Sequence, residues 1–464
     1  MTDINSLLKL RHYYETGTTR PYAFRMEQLK KFKAAVLKYE KEIETALYSD
    51  LKKSPEEAYA TETGLLLAEL SIAIKNLHRW MRPERKGTNL VNLPSSTYLV
   101  KDPLGVVLII GAWNYPLQLL LIPLVGAIAG GNCAVIKPSE LAPATAGIIE
   151  KIITEIFPAE YVLTVQGNGA EVVPSMMSAR TPSGNSFRFD HVFYTGSIPV
   201  GKSIYQLAAK DLIPVTLELG GKSPAIVEAD ASLKATARRI VLGKFINSGQ
   251  TCIAPDYLLV HESVKDKLIE QMKDSIEHFY TNDPSTSYSY SKVINERRFD
   301  KLLTYLQQGT IIYGGNHDKS KLYIQPTLID NVSLSAPVMT EEIFGPILPV
   351  FTFTAMEDAI SIVQRNPDPL AFYLFTSSSQ KEKEWVQKVS FGGACINNAA
   401  WHFANHHIPF GGIRSSGIGS YHGKSTFEIF THKKPVMKTP TWFDPDLKYP
   451  PFEKKMKWFK RFIK

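Results

Sequence analysis

Two rhythms of apolar and polar positions divide the chain. From Phe24 to Leu51 and from Glu56 to Trp80, apolar residues recur three and four positions apart, with Lys and Glu on the remaining face. That spacing predicts amphipathic helices. Arg82 to Tyr98 turns polar and carries turn residues, so it reads as a linker or protruding segment. From Lys101 short apolar runs alternate with helical patterns. Strands are expected near 106–110, 133–136, 161–165, 191–194 and 215–219, with one helix after Glu140 and another from about Gly201 to Lys210. This alternation implies a parallel sheet covered on both faces. The polar insert Ala179 to Phe189 is expected to be a surface loop.

After Cys252 a second alternating series begins. Strands are expected at 257–260, 310–313, 347–353, 371–375 and 394–396, and helices at 264–280, 297–308, 355–365 and 381–390. Phe410 to Gly419 is Gly-rich, and a strand is expected at Phe427 to Thr431. The fold class is therefore α/β, with two doubly wound Rossmann-like domains. One segment reads differently at first sight, because Pro103 to Ile136 carries no charge for 34 positions, longer than a membrane span. Pro116, Pro123, the Asn114-Tyr115 step and Gly130-Gly131 break it into a buried strand, a loop, an apolar helix from Leu117 to Ala129 and a second strand. No transmembrane helix is expected.

A length of 464 residues is too great for one ordinary core, so two or three domains are expected. The net charge of +8 is uneven: Pro451 to Lys464 hold six Lys/Arg and one Glu, leaving the body near +3. The basic balance therefore marks a tail and gives no support to nucleic-acid binding. Three widely spaced cysteines, Cys133, Cys252 and Cys395, make neither a disulfide framework nor a zinc spacing. With no signal-like N-terminus, a reducing cytoplasmic setting is expected. Cys133 and Cys395 lie in strand patterns and read as buried hydrophobes. His406-His407 has no ligand partner at suitable spacing, so no metal site is expected.

The candidate chemistry lies between Val215 and Ile253. A short apolar run ends in Glu218 and Gly220-Gly221, and 34 residues after Glu218 stands Cys252, behind Asn247-Ser248-Gly249-Gln250-Thr251. A carboxylate and a thiol bracketing one strand–helix unit suggest a base and a nucleophile. Taken singly, a lone cysteine is usually a core filler and a Glu beside Gly-Gly is usually a turn. Upstream, the strand His191 to Ser197 runs into Gly196-Ser197-Ile198-Pro199-Val200-Gly201 and a helix, a G-x-x-x-x-G turn whose backbone amides can face a pyrophosphate. Val135 to Glu140 (VIKPSE) ends another strand, and Glu341 to Pro346 (EEIFGP) precedes a third.

LELGGKSP followed by NSGQTC resembles the paired active-site signatures of the aldehyde dehydrogenase superfamily. Through YTGS, EEIFGPILPV and PFGG…SGIGSYHGK the resemblance spans nearly the whole chain and is closest to the class 3 branch, which acts on fatty and aromatic aldehydes. It implies Cys252 as nucleophile, Glu218 as the base that activates water, and Asn114 as the oxyanion-hole amide beside the Cys252 backbone N–H. It further implies that Lys137 and Glu140 hold the adenosine ribose, that Gly196, Ser197 and Gly201 form the phosphate turn, that Glu342 bonds the nicotinamide ribose, and that Phe344 packs by the nicotinamide. Tyr115 and Leu119 would face the substrate tunnel. The cofactor implied is NAD, since a 2′-phosphate would meet the Glu140 carboxylate, with NADP as the alternative.

In domain terms the resemblance implies a nucleotide-binding domain over 1–81 and 101–219, a catalytic domain over 220–416, an oligomerisation arm from 82–100 and 425–440, and a basic tail over 441–464. A homodimer follows by the same analogy. Two departures stand out: Arg414 occupies a turn where the family has a small residue, and the 179–189 loop is long. The tail, Glu453 to Lys464, has two readings: a packed or frayed end, or an interfacial anchor on anionic lipid. An alternative chemistry, a CoA-acylating dehydrogenase or acyl-thioester reductase, would use the same cysteine. A non-catalytic structural or docking protein is the third reading, and the joint presence of Asn114, Lys137, Glu218, Cys252, Glu342 and Phe344 argues against it.

Overall fold

A computed structural model describes residues 4–463. Two open sheets carry the molecule. The first has six strands in the spatial order Gly417–Ile418, Val215–Glu218, His191–Thr195, Val106–Ile110, Cys133–Lys137 and Val162–Thr164. All neighbours are parallel except the outermost pair, where Gly417 stands opposite Glu218 in antiparallel register. The second has seven, in the order Thr310–Tyr313, Thr327–Asp330, Ile347–Phe353, Tyr257–His261, Pro224–Val227, Ala371–Phe375 and Gly393–Ile396. Here too only the first pair is antiparallel.

Burial explains the uncharged stretch. The Val106–Ile110 and Cys133–Lys137 strands lie mid-sheet, and every residue of the Gln118–Gly130 helix between them is buried. A helix apolar all round belongs in a core or a membrane, and this one is covered by the Tyr22–Lys38 and Gly64–Met81 helices. Among the described residues no helix is long and apolar enough to cross a membrane.

Several expectations need correction. The pattern from Phe24 to Leu51 is two helices, because the chain turns at Tyr39 (ψ 10°) and sends Glu40–Leu51 against the Pro143–Ile156 helix. Of the readings of Arg82 to Tyr98, the linker gives way to the arm: Glu84–Lys86, Ser96–Pro103 and Thr431–Lys438 form a separate three-stranded antiparallel sheet. The strand expected at 427–431 is instead the helix Lys424–Ile429, with the strand displaced to Thr431–Lys438. A Cβ at Gly126 would lie 2.4 Å from Thr426 Cγ2, and its absence lets this helix close on the central one. The 179–189 insert is exposed only in part, because Phe187 and Phe189 turn into the core. Cys133 is buried as expected, but Cys395 is half-buried with its Sγ 3.5 Å from His402 Nδ1.

Candidate active site

The order of the first sheet reverses at Val106–Ile110, with Cys133–Lys137 on one side and His191–Thr195 on the other. In doubly wound sheets ligands bind outside the carboxyl ends of the strands at such a point. Three sequence candidates leave the sheet here: the loop with Trp113 and Asn114, Lys137 at its strand end, and the turn at Gly196-Ser197. Glu218 ends the next strand, after which the chain enters the second sheet at Pro224.

Cys252 sits in the connection between the Leu233–Phe245 helix and the Tyr257–His261 strand. The approach to it is strained. Asn247, Ser248 and Gly249 all have positive φ (51°, 51° and 71°), and a Cβ at Gly249 would lie 2.3 Å from the Gly345 carbonyl oxygen. Consecutive left-handed residues persist only where surroundings hold them. Here the Asn247 N–H donates to Glu57 Oε1 (3.0 Å), and the Gln250 side chain bonds Asn247 O, Lys292 O and the Ile294 N–H. The half-buried Cys252 side chain then faces a pocket that Tyr115 and Leu119 also line, with Ile253, Trp401, Phe403 and Phe410 supplying an apolar and aromatic wall.

Asn114 reaches this loop from the other sheet. Its Nδ2 donates to the Gln250 carbonyl at 3.0 Å, two residues before Cys252, and an amide has a second N–H to offer. Tyr115 Oη bonds Thr251 Oγ1 at 2.7 Å. Glu218 is buried with neither carboxylate oxygen partnered, and that burial raises its pKa well above the ordinary carboxylate value. Burial likewise raises the Cys252 thiol, with the Glu342 and Glu218 charges adding to it. The resting sulfur is therefore a protonated thiol.

The groove beyond has the fittings for a dinucleotide. The Ile198–Ala209 helix starts with Ser197, whose side chain makes no cap bond, so its first amides and a hydroxyl are free for an anion. The glycines of that turn serve packing: a Cβ at Gly196 would lie 2.2 Å from Tyr194 Oη, and one at Gly201 2.6 Å from Leu219 Cδ2. Lys137 is buried and ion-paired with Glu140, which also accepts the Gly169 N–H at 3.0 Å. Burial pushes the Glu140 pKa up, but Lys137 and that N–H outweigh it and hold it below the usual carboxylate range.

From the second sheet, Glu342 and Phe344 complete the groove. A Cβ on Gly220 would lie 2.0 Å from Glu342 Oε2, so only glycine leaves room for this carboxylate. Burial and the neighbouring Asp256 push Glu342 up to about 8, against the pull of the Gly221 N–H, Arg298 and Lys222. Phe344 (φ 48°) sets its ring edge-on to Trp113 at 5.2 Å, with the Arg298 guanidinium 6.0 Å from its centroid. Arg298 and the making of room by Gly220 carried no signal in the sequence, because both depend on contacts between distant loops. Arg414 takes φ 51° in its turn and pairs with Asp368 at 2.5 Å.

Known proteins of the same build exist. Residues 12–436 match the model of the aldehyde dehydrogenase family. The 4,4'-diaponeurosporen-aldehyde dehydrogenase of Staphylococcus aureus is 43% identical over 454 residues, covering 97% of each chain. The "aldehyde dehydrogenase, dimeric NADP-preferring" of Canis lupus familiaris is 39% identical over 450 residues, again 97% of each. Among solved structures, the substrate-bound state of Staphylococcus aureus AldH superposes with a TM-score of 0.96 at 42% identity, over 100% of both chains.

Proposed function

The chain belongs to the aldehyde dehydrogenase family, and on that premise we propose that it oxidises medium- or long-chain aliphatic or aromatic aldehydes to carboxylic acids through a covalent adduct on Cys252. The observation that carries the reading is the approach of three groups: the Cys252 thiol lines an apolar pocket, the Asn114 amide bonds the Gln250 carbonyl two residues before it, and the partnerless Glu218 carboxylate lies near enough for its charge to raise the thiol. Once deprotonated, Cys252 adds to the carbonyl carbon, and the free N–H of Asn114 with the Cys252 backbone N–H receives the oxygen as it becomes negative. A bound nicotinamide supplies the acceptor for the departing hydride. Loss of hydride leaves a thioester on Cys252. Glu218, whose burial raises its proton affinity above that of a free carboxylate, draws a proton from water, and the resulting hydroxide releases the acid. Aldehyde-dependent reduction of NAD or NADP across an aliphatic and aromatic panel is the direct test. No reduction with any of them would reject the proposal.

A nicotinamide dinucleotide fits the residues present. Lys137 and Glu140 would hold the adenosine ribose, the Ser197 turn the pyrophosphate, and Glu342 the second ribose. We favour NAD, because Glu140 opposes an added phosphate; the NADP preference in the dog relative's name makes a side-by-side titration of the two the check. Glu342 gives a further expectation. With its pKa raised to about 8, the folded protein keeps a proton there between about pH 4.5 and 8 that the unfolded chain has released, so stability falls as pH rises through that window. Glu342→Gln is expected to raise the melting temperature of the cofactor-free protein at pH 9 but not at pH 5, while weakening cofactor binding. A lower melting temperature at pH 9 would contradict it.

The same reading divides the chain into a nucleotide domain (1–81 and 101–219), a catalytic domain (220–416) and an arm (82–100 and 425–440). The separate antiparallel sheet supports an arm that pairs two subunits, and the name of the dog relative calls that protein dimeric. A single-subunit mass by light scattering would reject a dimer. The tail is largely exposed, with Phe452, Met456 and Trp458 about half or more accessible and Trp458 stacked on Phe462 in a short helix. Aromatic residues among Lys454, Lys455, Lys457, Lys460 and Arg461 suit an anionic bilayer surface. Deleting residues 452–464 is expected to abolish co-sedimentation with phosphatidylglycerol vesicles; unchanged co-sedimentation would reject the contact.

A further inference from the structure

Beneath the Asn114 loop lies an ion pair that the reaction scheme leaves unused. Lys53 and Glu62 are both fully buried and 2.6 Å apart, Lys53 in the segment joining the Glu40–Leu51 helix to the π-turn Tyr59–Thr63 and Glu62 within that turn. Burying a lysine and a carboxylate is costly, and apolar side chains of similar volume would serve stability as well or better. What the pair does is hold particular atoms. Lys53 Nζ also donates to the Asn114 carbonyl at 3.0 Å and sits 3.9 Å from the centre of the Tyr115 ring. Glu62 Oε2 accepts the N–H groups of Leu117 (2.9 Å) and Gln118 (3.2 Å), where a negative charge at the start of the central helix is favoured. The Asn114 carbonyl is fixed from its other side by Asn247 Nδ2 at 2.8 Å.

We infer that Lys53, set by Glu62, is a positioning residue that fixes the Asn114 peptide and the Tyr115 ring against the Cys252 loop, and so aims the Asn114 amide at the carbonyl oxygen. The inference rests on the proposed role of Asn114. It accounts for the direction of each contact: the cation clamps the backbone of Asn114, leaving that residue's side chain to reach Gln250. It also accounts for why the loop that carries Cys252 and the loop that carries Asn114 share one buried polar cluster. Glu57, the acceptor for the Asn247 N–H, belongs to the same segment as Lys53.

The test is a double-mutant cycle on the full chain with cofactor and aldehyde. Lys53→Met is expected to lower kcat about 30-fold or more while changing KM less than about threefold, and to cost less than about threefold once Asn114→Ala is already present. An equal loss of kcat in both backgrounds marks a merely structural role and overturns the inference. Glu62→Gln keeps size and accepting oxygen, and is run in the same cycle should Lys53→Met fail to fold; a smaller loss in the Asn114→Ala background supports the inference and an equal loss overturns it. Impaired Asn114→Ala with an unimpaired Lys53→Met overturns this inference alone. Wild-type kcat in Asn114→Ala would remove the oxyanion role itself, and the inference with it.

Discussion

Glu218→Gln is expected to perform one round of hydride transfer and then stall, with steady-state turnover reduced about 10²- to 10⁴-fold, the range for removal of a general base. The first turnover should still yield close to one reduced cofactor per site. The substitution is mild on structural grounds, because neither Glu218 oxygen has a hydrogen-bond partner to lose. It also removes a buried acid, so the melting temperature should hold or rise. The pH profile adds a second reading. Wild-type kcat should climb as pH rises through the raised pKa of Glu218, since only the ionised carboxylate can take a proton from water, and the variant should lose that limb. Stopped-flow traces at several pH values separate these outcomes, and a variant without a burst would contradict the assignment.

Cys252→Ser is expected to lose turnover by at least about a thousandfold, because a hydroxyl at neutral pH is far less nucleophilic than a sulfur that can ionise. The change conserves volume in a half-buried position, so the fold and the affinity for cofactor should survive. Neither remaining cysteine can substitute. Cys133 lies inside the first sheet, where burial pushes its thiol up to about 12, and Cys395 stands on an outer strand of the second sheet beside His402. Steady-state rates measured next to a cofactor titration distinguish loss of the nucleophile from loss of the site.

The sheets were legible because their strands are buried on both faces and read as short apolar runs, as in Val106–Ile110 and Ala371–Phe375. The groups around Cys252 were legible because polar residues and glycines there interrupt otherwise regular patterns, as Asn114 does in an uncharged stretch. Elements that depend on a partner far along the chain were not. The Lys424–Ile429 helix packs on the bare backbone at Gly126, and the register of Ser96–Pro103 with Thr431–Lys438 shows only in the fold, the arm itself having come from the family resemblance. Lys53 and Glu62 stand nine positions apart with no motif between them, and only the fold brings them under Asn114. Gly220 reads locally as a turn, whereas its missing side chain houses Glu342 from the other sheet.

The covalent step is open to one direct measurement. Glu218→Gln protein mixed with cofactor and a single aldehyde, quenched in acid and mapped by peptide mass, should carry the acyl group on the peptide containing Cys252 and on neither of the peptides containing Cys133 and Cys395. Reduced cofactor formed in that mixture while the Cys252 peptide stays unmodified would contradict the account.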